Sequence, residues 1–477
     1  MYHTIKLMLS QLIWMLEYVV FLLEKYKFVM TTNDSTLLED QDRLVNIIDS
    51  VLSRSKKMGA TDAEADIGAG IGLSANVRKG VIDKLEYERE KGLSITLYID
   101  GKKGNASSSD FSDSALNNAV EAAFSIAKHA SHDKHAGLVE KKLMAKNIAD
   151  LDLYHPCSIS PEAAIELAIE CEQSAFDYDK RISNSDGSVV STYSGINLYG
   201  NTNDFINGWR WSSHTIDCTV IAKDNNGMQR DGWYSKACDF NDLQSIKDIS
   251  KEATRRATMR LGAQKLSTCE IPVIFESPVA SGLFSAFITA ISGASLYRRA
   301  SFLLDKKNKQ IFANHINIIE NPHMKKALGS APFDNDGVAT KKRTLVNQGV
   351  LKDYVLSGYS ARKLGLQTTG NAGGVHNLVV EPGRKNLNDM IVEMNKGLLI
   401  TDMIGFGVNQ ITGDYSRGAS GFWIENGKIA YPVEEITIAG NLTKMYKNIR
   451  CIGNDIDLRG NILTGSVMID KMIVAGK

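Results

Sequence analysis

The sequence lacks an excess of either charge: 55 Lys and Arg balance 55 Asp and Glu over 477 residues. With no net field, composition gives no electrostatic case for a nucleic-acid partner. No C-x-x-C occurs, and the six cysteines (157, 171, 218, 238, 269 and 451) lie far apart. That argues against a zinc ribbon or a disulfide framework and for buried free thiols in a reducing compartment. Nucleotide and hydrolase signatures are missing as well. There is no G-x-x-x-x-G-K-[ST], no G-x-S-x-G, and no G-x-G-x-x-G leading into a helix, so neither a P-loop, a nucleophile elbow nor a dinucleotide fold is supported.

The absence that carries most weight is local. Ile271–Phe275 reads as a short apolar strand, and Pro278 suits the first position of a helix. The seventeen residues from Val279 to Ser295 then contain no Asp, Glu, Lys, Arg or His. Apolar and small residues on all sides predict a helix buried on every face. Gly282, Ala286, Ala290, Gly293 and Ala294 would let other backbones approach it closely. A hydrolase could mount metal ligands one turn apart on such a helix, as in H-E-x-x-H; this one has none.

What is present describes a soluble globular protein, with 43% apolar and 23% charged residues. The length predicts two or three domains. Met8 to Leu23 is strongly apolar, yet it carries Glu17, lacks a cleavage site, and falls short of the roughly 20 residues that cross a bilayer. We read residues 1–29 as an N-terminal extension upstream of a natural start at Met30, with an interfacial anchor as the alternative. The expected location is cytoplasmic, with no membrane partner.

Leu44, Val45, Ile48, Val51 and Leu52 repeat at helical spacing, with Gly59 as a terminal cap. Strand patterns run from Asp62 to Ser107, and a helix is expected over Ala115–Ala130 after Ser112 or Asp113. Together these predict an N-terminal α/β domain over 30–150. His129, His132 and His135 would converge on a metal only along one continuous helix, whereas Gly137 and the polar composition point to a helix end. Ser160-Pro161 opens another helix, Ser183–Trp233 is strand-rich, and Lys251–Leu261 is a basic helix with a solvated face. These form a middle α/β region over 151–260. Strand alternation places His214 and Cys218 on one face and Asp217 on the other, which argues against a shared metal site.

The remainder, 261–477, reads as a β-rich domain. Asn347-Gln348-Gly349 signals a hairpin, and Lys341, Lys342 and Arg343 are expected in solvent. His376 precedes an apolar strand and reads as structural. Glycine becomes dense from Ile404 to Asn441, and glycines inside strands predict bulges or close backbone approach. The fold class is therefore α+β: an N-terminal α/β domain and a larger β-sheet-rich C-terminal domain around a buried helix.

Several long segments then carry a family resemblance: SGASLYRRASFLLD from Ser292, SAPFDNDGVAT from Ser330, SGYSARKLGLQTTGNAGG from Ser357, TGDYSRGASGFWIENG from Thr412, PVEEITIAGNL from Pro432 and IGNDIDLRG from Ile452. On these, from about Leu44 to the C-terminus, the chain resembles the TldD/PmbA family of metallopeptidases, on its PmbA (TldE) side. The resemblance implies that TldD-type members carry H-E-x-x-x-H on the equivalent helix and a third zinc ligand from a C-terminal Cys. Two imidazoles and a thiolate leave one zinc position open for water, and the Glu acts as base.

This chain departs from that pattern at each element. Val279–Ser295 holds no His or Glu, and Asp455-Ile456-Asp457-Leu458-Arg459 holds no Cys. The ligand role is not carried to the nearby Cys451. The resemblance thus implies no catalytic or metal-binding residue and no cofactor in this chain, with zinc expected in a TldD-type partner. It implies a non-catalytic subunit of a heteromeric protease acting on unfolded and leader peptides, and a homodimer when the chain is alone. The alternatives are a stand-alone metallopeptidase with unrecognised ligands and a non-proteolytic modulator of DNA gyrase. For peptide binding through a sheet edge, the candidates are Gly405, Gly407, Ser416, Arg417, Gly418 and Gly421; tight sheet packing accounts equally well for the glycines.

Overall fold

The computed structural model describes residues 41–225 and 227–476. The Met8–Leu23 stretch and the Met30 start lie outside the described residues.

The first half of the chain builds one antiparallel sheet from two similar units. Helix α1 (Gln41–Lys57) leads into β1 (Asp62–Arg78), β2 (Val81–Ile99) and β3 (Lys102–Ser108), then α2 (Asp113–His129). A connecting stretch follows. Helix α3 (Pro161–Tyr178) then leads into β4 (Ile182–Asn201), β5 (Phe205–Asp224) and β6 (Gly227–Ala237), then α4 (Ile246–Met259). The sheet order is β3-β2-β1-β4-β5-β6, joined at its centre by β1 and β4. The boundary expected near 150 therefore falls in a connection, and a single sheet spans both sides of it.

Strand alternation decides which face is covered. Ala63, Ala65 and Ile67 of β1 pack with Leu44 and Ile48 of α1 and with Leu116 and Val120 of α2. Leu73, Ala75 and Val77, on the same face further along, pack with Ala168 of α3 and Ala253 of α4. All four helices thus lie on one face of the sheet. The caps follow the sequence signals: the Ser112 and Ser160 side chains accept hydrogen bonds from the backbones of Ala115 and Ala163, and Gly59 has φ +99°. His214 and Cys218 are buried on the helix side and Asp217 is not. Because α2 ends at His129, His129, His132 and His135 do not share a helix.

The second half begins with β7 (Cys269–Phe275), which runs directly into α5 (Ser277–Ile291) and a short α6 (Gly293–Tyr297). Strands β8 (Ile318–Glu320), β9 (Arg343–Asn347) and β10 (Val350–Leu351), helix α7 (Gly358–Leu364), β11 (Leu378–Val380) and helix α8 (Leu387–Met394) follow. Strands β12 (Gly397–Ile404), β13 (Asp414–Glu425) and β14 (Lys428–Asn441), helix α9 (Leu442–Lys447), β15 (Ile449–Ile452), β16 (Ile462–Leu463) and β17 (Val467–Ala475) complete the chain. Gln348 and Gly349 both have positive φ between β9 and β10, as a two-residue hairpin turn requires.

Strands β14, β13, β12, β7 and β17 pair in that order, and β14 also pairs with β17, closing the sheet on itself. Alternate residues such as Val273, Leu398, Ala419 and Ile438 join α5 in the largest core. The intervening Ile274, Leu399, Phe422 and Met468 pack beneath Met390 and Met394 of α8. The architecture is α+β. Among the described residues, no helix is long and apolar enough to cross a membrane.

Candidate functional site

Helix α5 is the segment that the sequence singled out for its lack of ionisable side chains. Its inner face is fixed by aromatic packing. Phe287 meets Phe312 edge-on at 5.1 Å, Phe312 stacks on Tyr446 at 4.4 Å, and the buried Tyr446 hydroxyl donates to the Leu283 carbonyl at 2.8 Å. The expectation of burial on every face fails on the other side. Ser285 and Thr289 are exposed, and Ser281, Gly282, Ile288 and Ser292 are half-buried. Small side chains here lie on a face that neighbours do not fully cover. The helix also stops earlier than expected: Ser292 leaves helical geometry, and its side chain caps α6 by accepting from Ser295 N. Gly293 allows close approach, since a Cβ there would overlap Ser360 of α7.

The polar atoms on this open face are hydroxyls turned back on their own helix. Ser281 donates to Pro278 O at 3.1 Å, Thr289 to Ser285 O at 3.0 Å and Ser292 to Thr289 O at 2.9 Å. This donor set does not fit zinc, which takes imidazole, thiolate or carboxylate ligands. Among the described residues, no group of three His, Cys, Asp or Glu side chains is placed to hold a metal ion.

The six candidate residues from β12 and β13 divide. Strand β13 is paired on both sides, to β12 and β14, so it offers no free edge for an added strand. Ser416 N donates to Gly407 O at 2.7 Å, and a Cβ at Gly407 would overlap the Ser416 carbonyl. A Cβ at Gly421 would overlap the Leu399 carbonyl, next to a register shift in the sheet. Gly418 faces Ile404 across the ladder. Gly407 and Gly421 are therefore packing glycines, which corrects the edge-docking expectation. Gly405, with φ +75°, and Ser416 face solvent. Arg417 differs from the rest: its guanidinium lies over Gly282 of α5, and its Nε is buried without a hydrogen-bond partner among the described residues.

The loop between β12 and β13 reaches the segment that follows α6. Phe302 N, just beyond α6, donates to Gln410 O at 2.9 Å. Ile404 and Ile411 are exposed there, and Phe406 is 108% exposed. Three large apolar side chains thus stand in water at this loop.

Two ion networks missed by the sequence reading hold the frame. Arg256 of α4 is buried, against the expectation of a solvated basic face. Its Nη1 donates to Glu276 at 2.9 and 3.1 Å, and its Nε meets Asp231 at 3.3 Å. Glu276 precedes α5, so this cluster ties the first sheet to the start of that helix. Arg343 is likewise not in solvent; it pairs with Glu320 inside the second domain. Nothing in one sequence distinguishes a buried Arg from a surface one, because the partners are distant in the chain.

A third polar cluster joins β1 to the Ser330–Thr340 segment. Glu64 accepts from the Tyr98 hydroxyl at 2.7 Å and the Tyr199 hydroxyl at 2.8 Å. Asp336 accepts from Gly358 N at 2.7 Å, and Asp334 from Ala372 N and Val338 N. Loss of water, then the carboxylates of Glu64 and Asp336, push Asp66 up to about 7. The D-x-D of FDNDG was the visible signal for this cluster. In the unfolded chain Asp66 loses its proton near 3.8. In the folded chain it keeps the proton to about 7, so its unfavourable contribution grows as pH rises through that window and is constant above it. Asp66→Asn is expected to match the wild type below pH 3.8 and to melt about one to two degrees higher above pH 7. That corresponds to about 1 kcal/mol after allowing for solvent at this open position. A difference in melting temperature that does not change with pH would contradict the assignment.

The comparisons with known proteins agree with this frame. The PmbA/TldA metallopeptidase domain 1 matches residues 63–127, the central domain 154–261 and the C-terminal domain 268–476. The chain belongs to the PmbA/TldD metallopeptidase family. It is 44% identical to metalloprotease PmbA of Escherichia coli O157:H7, covering 87% of this chain and 92% of that one. It is also 44% identical to a PmbA homolog of Haemophilus influenzae, covering 93% and 99%. A solved structure, a candidate modulator of DNA gyrase from Bacteroides thetaiotaomicron, superposes with a TM-score of 0.87 at 28% identity, covering 92% of this chain and all of that one.

Proposed function

We propose that this chain is the non-catalytic subunit of a heteromeric peptidase, pairing with a TldD-type subunit that supplies zinc and the general base. The observation that carries the reading is the open face of α5. It is exposed within a PmbA/TldD-family fold, yet its Ser281, Thr289 and Ser292 hydroxyls bond to backbone carbonyls. The helix carries no His, Cys, Asp or Glu to hold zinc or activate water. A chain of this kind contributes position, not chemistry. The exposed Ile404, Phe406 and Ile411 at the β12–β13 loop would provide an apolar surface for a related subunit, and related subunits suit a pseudo-symmetric pairing. Arg417, over Gly282, is placed to hold a peptide carboxyl or carbonyl group in the shared cavity. Alone, the same surface would pair two copies in an inactive homodimer. The substrates are unfolded and leader peptides, and the compartment is the cytoplasm.

The test mixes the purified chain with a TldD-type subunit and follows an unstructured peptide by mass spectrometry. The chain alone should hold less than one zinc and cleave nothing. The mixture should cleave at least about tenfold faster than the partner alone and should stop on chelation. Chelator-sensitive cleavage by this chain alone, or no change in the partner's rate, would overturn the reading.

A further inference from the structure

The first sheet has a second face, turned away from its four helices. Across β1 it opens into a groove of about 740 Å³. Gly68, Gly70 and Gly72 line up along its floor, with Gly92 of β2 paired to Gly68 and Gly195 of β4 paired to Gly70. Two of these glycines are explained by packing. Tyr193 lies across Gly72, and the Trp211 ring would be 2.7 Å from a Cβ at Gly195. Gly68 and Gly92 are not explained in that way. A Cβ at Gly68 would have only Asn197 Oδ1, at 4.0 Å, and one at Gly92 would meet nothing. The floor there is bare backbone with free space above it.

The two walls differ. Glu86, Glu88 and Glu90 alternate along β2 on this face, and the field of all three acts on the Tyr193 hydroxyl opposite. Glu64 and Asp66 follow along β1 outside the groove, Glu64 accepting from Tyr98 and Tyr199 and Asp66 keeping its proton up to about 7. Next to these carboxylates the register places Lys84, already paired to Glu86 at 2.6 Å. Lys103 near Tyr98 and, further along the sheet, Arg78 and Arg230 at Asp186, Lys223 and Lys236 share the face. Arg89 and Lys91 of the alternate set reach the groove's rim, and Lys91 holds its ammonium over Phe111. The far wall is aromatic, with Tyr193 and Trp211, and the Trp211 Nε1 is buried without a partner among the described residues.

We propose that this groove binds an extended, lysine- or arginine-rich peptide segment, its backbone over the Gly68–Gly92 floor and its cationic heads at Glu88 and Glu90. The aliphatic stems would lie on the Tyr193 and Trp211 rings, where a cation also gains from the π-face. An anionic polymer is repelled by the same wall. The proposal deepens the peptide-handling reading above and rests on it only for the identity of the ligand. It gives this chain a specificity role, selecting cationic segments of a substrate some distance from α5.

The test uses the full chain without a partner and measures binding, not cleavage. Fluorescein-labelled peptides of alternating Lys-Gly, Gln-Gly and Glu-Gly are compared by anisotropy. The Lys peptide should bind at least about tenfold more tightly than either of the others, and binding should fall away in about 1 M salt, where the Debye length is about 3 Å. Glu88→Gln with Glu90→Gln should weaken binding about tenfold. Gly68→Val, or Gly92→Val should the first not fold, should block the groove while the melting temperature stays near that of the wild type. Equal binding of the three peptides, tighter binding of a neutral oligosaccharide, or Lys-peptide binding untouched by both the charge and the glycine variants would overturn the proposal. Because no cleavage is read, failure of the heteromer test leaves this result independent.

Discussion

Arg343→Ala is expected to destabilise the protein by about 3–5 kcal/mol, the cost of leaving a buried charge without its partner. The Arg343 side chain is 8% exposed and that of Glu320 is 2% exposed. Arg343 Nε donates to Glu320 at 2.6 Å, Nη1 to the Tyr354 carbonyl at 2.7 Å and Nη2 to Asn371 at 2.7 Å. Glu320 also accepts from Asn371 Nδ2 at 2.7 Å and from His376 N at 2.8 Å. One guanidinium thus joins β8, β9 and the turn leading to β11. Its removal strands a carboxylate that water cannot reach. Arg343→Lys should recover only part, because an ammonium cannot reproduce the planar fork. Arg343→Met with Glu320→Gln should recover more than Arg343→Met alone, since the uncompensated charge is then gone. Lys341→Ala and Lys342→Ala, both exposed, should stay within about 0.5 kcal/mol. Denaturant unfolding checks the series. An Arg343→Ala protein within about 1 kcal/mol of the wild type would show that the pair is not held as described.

Gly421→Ala should be nearly as damaging, although it adds a single methyl. A Cβ there would overlap the Leu399 carbonyl oxygen, at 2.9 Å from its carbon and 3.0 Å from Ile400 Cα. These are backbone atoms of β12, which is held by β13 on one side and β7 on the other. No side chain can rotate away, so the strands must part and the pairing of Ile400 with Gly421 is lost. The expected loss is about 3 kcal/mol, the upper end for overpacking in a core. Gly460→Ala meets nothing within 4 Å and should be neutral. A Gly421→Ala protein with unchanged unfolding would mean that the barrel yields at this bulge. The pair also separates a packing glycine from a binding one, because peptide docking at Gly421 would leave stability intact when alanine is added.

Much of the frame was legible in the residues because its causes are local. Ser112 and Ser160 cap helices with their own hydroxyls, Gln348-Gly349 turns a hairpin through positive φ, and alternation along β5 places His214 opposite Asp217. The absence of metal-ligating side chains from Val279–Ser295 is likewise a property of the sequence alone. No arrangement of neighbours can turn Ser285 or Thr289 into an imidazole or a thiolate. The family also lay in the sequence, in long motifs such as SGASLYRRASFLLD and TGDYSRGASGFWIENG.

Only the tertiary structure decided which polar groups leave water and which apolar ones stay in it. Arg256 and Arg343 look like any surface arginine until Glu276 and Glu320 are brought against them. Small apolar residues all round α5 suggested burial, yet Ser285 and Thr289 are exposed, because a helix is covered only where neighbours reach it. Gly421 and Gly68 are the same letter in the sequence. One touches a backbone and the other faces free space, a difference set by strands that the chain brings together over long separations. Local signals act through neighbouring residues and survive in the sequence. Burial, ion pairing and open grooves depend on contacts between distant segments, and those exist only once the chain has folded.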